Sequence, residues 1–259
     1  MRIPGISDCI ESIQEFKIWS HLASRDLKVR YSRTRLGPWW SSLALGALIF
    51  GISIATALIA QDPIREYLPR IAVSLFVWTF IANIFLESVE LFSVERGLLL
   101  NTRVHELSIV LRVVWRQVLI SLYNLPVVVI CIIVGGETLS PRLLLLPVAI
   151  VFTGVGLILP SFVIGLVTLL RRDFAQLIPS VVQLLFFVSP VMWETPESGR
   201  LSAVADFNPL AWALGAIRAG VLSGELLTLD TGRWLVAIAT LACLTFIFSP
   251  LIRQIRVRV

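Results

Sequence analysis

Charge is scarce in this chain, and lysine is scarcer. Acidic and basic residues together make up 15% of its 259 residues, and among 22 cationic side chains only Lys17 and Lys28 are lysines. A Walker A loop needs a lysine directly after glycine. These two follow Phe16 and Leu27, so no P-loop for ATP is present. The two histidines, His21 and His105, share no segment with a Cys, Asp or Glu constellation, and no G-x-S-x-G, H-E-x-x-H or D-x-D pattern occurs. That leaves no catalytic set and no metal site to assemble. Cys9, Cys131 and Cys243 are too far apart for metal spacing and do not form an even disulfide set, and they read as buried or idle thiols. Acids and lysines are also missing from the middle of the apolar runs, where a proton- or sodium-coupled carrier would need them. No apolar run precedes residue 38, so a signal peptide is not expected and the N-terminus should stay in the cytoplasm.

What is abundant is apolar. The chain is 57% hydrophobic with a mean hydropathy of +0.87, against roughly 45–50% apolar in soluble domains. The net charge of +5 therefore does not point to nucleic acid. The composition describes an all-α membrane protein. A bilayer core takes about 20 apolar residues per helix, and six segments approach that length: 39–60, 71–91, 110–134, 143–169, 176–192 and 233–252. Six spans put both termini on one side. With the N-terminus inside, sixteen cationic residues fall in inner segments and six in outer ones, so the positive-inside rule favours cytoplasmic termini.

Two segments break the pattern. Residues 1–37 form an N-terminal amphipathic unit, with Ile10, Ile13, Phe16, Ile18, Trp19, Leu22, Ala23 and Leu27 at near-helical spacing and Asp8 with Glu11 as a cap pair. Its end reads RDLKVRYSRTRLGPWW: Arg25, Lys28, Arg30, Arg33 and Arg35, then Gly37 as a helix stop, Pro38 as the first position of span 1, and Trp39 and Trp40 at head-group depth. A basic helix of this kind suits a membrane surface. Residues 38–259 then form the six-helix transmembrane domain. Between spans 5 and 6, the stretch 189–225 is too long for a turn and too apolar for a solvated loop, and its apolar part, 207–222, is too short to span. Ser189-Pro190 and Asn208-Pro209 break helix around it, which predicts a re-entrant pair of short helices holding Arg218.

The hairpin of spans 2 and 3 predicts an ion-pair cluster of Glu87 and Glu90 with Arg112 and Arg116. Neutralisation at the membrane edge and transmission of force from a bound partner both suit it. Two charged turns, 95–106 and 171–176, are candidates for where such a partner sits; ordinary solvated turns suit them too.

In this order and topology, RDLKVRYSRTRLGPWW at 25–40, RRD at 171–173, SPVMW at 189–193 and FNPLAWALGAIRAGVLSGE at 207–225 resemble the membrane subunit of ABC-2-type polysaccharide exporters, the Wzm-type permeases of lipid-linked O-antigen, galactan, capsule or teichoic acid chains. The resemblance implies an interface helix over 8–31 and a homodimer in the bacterial cytoplasmic membrane. It also implies a separate ATPase dimer, holding ATP and Mg while this chain holds no cofactor. ATPase-coupling candidates are then Glu95, Arg96, Arg103, Glu106, Arg171, Arg172 and Asp173. The resemblance further implies an external gate of two short re-entrant helices over 193–222, with Pro190, Asn208, Pro209 and Arg218 as candidates. Channel aromatic candidates are Trp39, Trp40, Phe76, Trp78, Phe80, Phe85 and Trp193, although Phe and Trp equally pack against lipid. A polyprenyl-pyrophosphate head group would meet Arg25, Arg30, Arg33 and Arg35, whose forks match phosphate oxygens; plain topology and lipid anchoring would use the same residues. Rival readings are an ABC-2 exporter of a drug or small lipid and an ATP-independent membrane component of glycolipid assembly.

Overall fold

The computed structural model describes residues 11–94, 106–137, 140–193 and 200–256, which form helices joined by short turns, with no strand among them. Helix α1 (Phe16–Tyr31) carries its basic residues Lys28 and Arg30 in the last turn, where they complement the helix dipole. Gly37 adopts φ +57, a conformation that costs a residue with a Cβ, and this turns the chain into α2. α2 (Trp39–Ala60) coincides with the first expected apolar segment, with Pro38 in the cap position instead of the first helical one. Gln61 ends it in the left-handed region, and Pro63 then precedes α3 (Ile64–Ser88). After the single turn α4 (Leu91–Val94) come α5 (Glu106–Val134) and a 3-10 turn (Pro141–Leu144), followed by α6 (Leu145–Leu170) and α7 (Asp173–Val188). Two short helices, α8 (Arg200–Asp206) and α9 (Pro209–Arg218), lead through a π turn (Ala219–Ser223) to α10 (Leu229–Arg256).

α3 is the centre of the bundle. Of its apolar stretch 72% is buried, against 22% for α2 and 33% for the segment that includes α6. It packs most heavily on α5 and also meets α2, α6, α7 and α9. Small residues set the closest approaches: a Cβ on Gly154 of α6 would lie 3.0 Å from Val114 and 3.4 Å from Phe80, and Gly135 at the end of α5 lies directly against Pro69. α10 packs on α6, where a Cβ on Gly156 would lie 3.0 Å from Ile238. α7 is the loosest member, with Val182 as its one buried residue.

Among the described residues, four helical segments are long and apolar enough to cross a membrane: Trp39–Ala60, Ile64–Ser88, Leu107–Val134 and Pro141–Leu170. The second begins seven residues before the expected 71, because Asp62-Pro63 starts a helix whose first turns hold Arg65, Glu66 and Arg70. Hydropathy reads which residues avoid water, whereas the backbone continues its ladder through charged turns. The break at 189–190 and the cap at 208–209 lie where expected: Asn208 accepts the Leu210 N–H at 3.0 Å, and Pro209 takes the first helical position.

Candidate functional site

Helix α1 shows how the site is assembled. Trp19, Ala23 and Leu27 are buried one turn apart, and they face α5 rather than an open membrane surface. The Trp115 ring of α5 stands 6.0 Å from Trp19 and 5.7 Å from Phe16, both edge to face, while the Trp19 indole donates to the Ser12 carbonyl at 2.9 Å. Ile13 and Ile18 remain about half exposed on the outer side.

The same face of α1 presents Asp26, and this carboxylate is the keystone of a five-residue ion-pair network. Arg112 donates to it through Nε and Nη2, both at 2.7 Å, in the two-pronged geometry that suits a guanidinium fork. Arg116 bridges from Asp26, at 3.0 Å, to Glu87 of α3, at 2.7 Å. Arg30 of α1 then closes the ring by donating to Glu87 at 2.6 Å. Burial works against the Arg30 guanidinium, but the hydrogen bond and charge of Glu87 outweigh it and hold its pKa above the ordinary value. Nearby, the Ser108 hydroxyl of α5 donates to Glu15 at 2.9 Å. The network therefore fastens α1 to α3 and α5 together.

Of the four residues expected in this cluster, Glu87, Arg112 and Arg116 are brought together; Glu90 is exposed and makes no ion pair among the described residues. Asp26 was missed. Its signal was an acid on the apolar face of an otherwise basic helix, one turn from Ala23 and Arg30.

A cleft of about 620 Å³ opens beside the network, walled by Arg30, Glu87, Glu90, Arg112 and Arg116, by Asn83 of α3, and by Ala175 and Pro179 of α7. Three cations and two acids wall it, and Asp26, which pairs with Arg112 and Arg116, is not among the lining residues, so the mouth is polar with a slight cationic excess. A second cleft, of about 540 Å³ and mainly apolar, lies between the end of α7 and α8, with Leu185, Val204 and Phe207 on its walls.

The remaining site candidates are distributed as follows. Arg25, Arg33 and Arg35 are exposed and make no ion pair among the described residues, whereas Arg30 is committed to Glu87. Trp39 and Trp40 are about half exposed, Trp39 against the Tyr123 ring at 5.7 Å. Phe76, Trp78 and Phe80 are buried in the packing around α3, and Phe85 is half-buried against the same core. Trp193 is half-buried and donates to the Phe187 carbonyl. Arg171 ends α6, Arg172 caps α7 and Asp173 opens it, all three exposed, so the expected turn is two residues long. Glu106 is the first residue of α5, while Glu95, Arg96 and Arg103, together with Asp8 of the expected cap pair, lie outside the described residues. Pro190 is buried, and the Asn208 amide donates to the Ser189 hydroxyl at 3.0 Å, which ties the start of α9 to the end of α7. The Arg218 side chain turns back to the Leu214 carbonyl at 3.3 Å. Asp206 and Arg233 pair at 2.5 Å, fixing α8 to α10.

Apolar helices long enough to cross a membrane, with a basic helix clamped across two of them, define a multi-pass membrane protein. The ABC-2 type transporter family model matches residues 18–222, and the chain belongs to that family. Over 214 residues it is 26% identical to the O-antigen export system permease protein RfbA of Klebsiella pneumoniae, covering 79% of this chain and 80% of the relative. Permeases of the family work with an ATP-binding partner.

Proposed function

We propose that this chain is the membrane subunit of an exporter that carries a lipid-linked polysaccharide, an O-antigen, galactan or similar cell-surface glycan, out through the bacterial cytoplasmic membrane. The observation that carries the reading is the similarity to an O-antigen export permease along four-fifths of both chains. In this reading α7 and α10 complete six spans, both termini are cytoplasmic, and two copies enclose the path. A dimeric ATPase seats on 95–106 and 171–176, and α8 with α9 forms the re-entrant pair at the outer face.

The chemistry fits. A hydrated polymer needs weak, repeated contacts, because tight binding would stall it, and its lipid pyrophosphate needs a cationic landing surface. Arg25, Arg33 and Arg35 supply exposed guanidinium forks for phosphate oxygens, whereas the charges of Arg30, Arg112 and Arg116 are already committed to Asp26 and Glu87. Exposed aromatic surface for sugar faces is available at Trp39, Trp40 and, around the second cleft, Phe207.

Depletion of the chain in its native cell, with lipid-linked glycan assayed on both faces of the membrane, tests the reading. Full-length polymer accumulating inside is expected. Unchanged polymer with loss of another lipid, or of drug resistance, would overturn the polysaccharide cargo and leave an exporter of small amphiphiles.

A further inference from the structure

A second group of charges sits at the end of the bundle opposite the Asp26 network. Arg70 precedes Glu87 by 17 positions on α3, about 26 Å at 1.5 Å per residue, which brings it near the far edge of a hydrocarbon core about 30 Å thick. α9 packs on α3 and carries Arg218 in its last turn. Both arginines are half-buried, and Arg218 lies within the repelling field of Arg70.

The neighbouring carboxylates are engaged elsewhere. Asp206 is paired with Arg233. Asp230, in the first turn of α10, is pressed against Gly215 of α9 and is drawn more strongly to Arg233 than to Arg218. Asp62 accepts the Tyr67 hydroxyl at 2.6 Å, Glu66 is exposed, and the Arg70 guanidinium lies over the Tyr67 ring at 5.5 Å. Arg218 keeps one long hydrogen bond, from Nε to the Leu214 carbonyl of its own helix at 3.3 Å, and forms no ion pair among the described residues. Its two Nη groups have no hydrogen-bond partner there, yet neither is sealed from the surface. A cation at a helix C-terminus gains from the helix dipole, but that gain leaves the fork unused. Two guanidinium groups held together at the edge of hydrocarbon are costly until an anion joins them.

We infer that Arg218, with Arg70 beside it, seats a phosphate group at this end of the bundle. Phosphate oxygens accept from two guanidinium forks at once. A lipid head group, which lies at this depth in a bilayer, and free phosphate share this chemistry. Bound there, the anion links the first turns of α3 to the last turn of α9, as Glu87 links α3 to α1 and α5 at the other end. The seat does not depend on what the protein exports.

The test uses the full chain purified in detergent and carrying Arg25→Gln, Arg33→Gln and Arg35→Gln, so that the exposed cations of the N-terminal basic segment do not bind the probe. Dioctanoyl-phosphatidylglycerol is titrated, and binding is read as a rise in unfolding temperature, with dioctanoylglycerol as the probe that lacks the phosphate. The phosphate lipid is expected to raise the unfolding temperature and dioctanoylglycerol to leave it unchanged. Arg218→Gln is expected to weaken the apparent affinity about tenfold, as loss of a charge-assisted contact does, and Arg70→Gln several-fold. Arg65→Gln, which removes an exposed cation at the same end of α3, is expected to stay within about twofold of the parent chain. Arg218→Lys keeps the charge without the fork and is expected to bind with intermediate affinity; with Arg70→Gln it carries the comparison if Arg218→Gln does not fold. Displacement of the lipid by inorganic phosphate assigns the seat to any phosphate, and lipid binding that inorganic phosphate does not displace assigns it to the intact head group. Equal shifts from both lipids, or parental affinity in the Arg218 and Arg70 variants, overturn the inference.

Discussion

Asp26 ties α1 to α5 with one carboxylate, and Arg116 carries the link on to Glu87 of α3. The Asp26 side chain is 21% exposed and those of Arg112 and Arg116 are 15% and 18%, so the network lies between the weak surface regime and the costly buried one. Asp26→Asn keeps the shape and removes the charge, which leaves two guanidinium groups facing each other. A loss of about 2 kcal/mol is expected from charge-assisted hydrogen bonds of this kind, measured as thermal unfolding in detergent and as weakened Trp19–Trp115 coupling in fluorescence. Arg30→Ala removes a side chain that is 53% exposed and is expected to cost less than about 1 kcal/mol. Arg33→Ala is expected to leave stability unchanged and lower export, since Arg33 touches no acid. Much of this network was legible: two acids and two arginines at matching depths in a hairpin announced it. Asp26 was not, because its partners lie 86 and 90 residues away, and pairing at that separation is fixed by which helix docks where.

Among the helices, the ends were legible and the partners were not. Gly-Pro-Trp-Trp gave the start of α2 to within one residue because glycine and proline impose backbone geometry locally. The apolar face of α1 was equally visible, but Trp, Ala and Leu suit lipid and protein alike, so the sequence alone could not choose α5 as its cover. Small residues fix the helix spacing and offer a direct check. A Cβ on Gly165 of α6 would lie 3.1 Å from both Leu91 and Phe92, and Phe92 is wedged against Phe162 at 5.4 Å. Gly165→Leu is expected to destabilise by about 1–3 kcal/mol through overpacking, read as a lowered detergent unfolding temperature, while Gly51→Leu, with open space around its Cβ, is expected to stay near wild type.

At the scale of the whole molecule, the two-residue connection between α6 and α7 is short enough that a push on it must move both helices. Replacing Arg171-Arg172-Asp173 by Gly-Ser-Gly is expected to leave the chain folded and inserted but to abolish export, with the partner's ATP hydrolysis no longer responsive to the permease. Normal export in that variant would remove the turn from the coupling path.

α5 spans 29 residues, Glu106–Val134, so it is about 43 Å long at 1.5 Å per residue, whereas the hydrocarbon core is about 30 Å thick. The surplus is the segment that bears Ser108, Arg112 and Arg116, and with it the docked α1. The height of this surplus ties the seat of α1 to the thickness of the surrounding bilayer. Lipids with longer tails would draw the charged segment towards hydrocarbon and force α5 to tilt, at a cost of fractions of a kcal/mol per Å of mismatch. Reconstituted export is therefore expected to peak at one acyl-chain length, and the seat of α1 to shift with the thickness of the membrane around it.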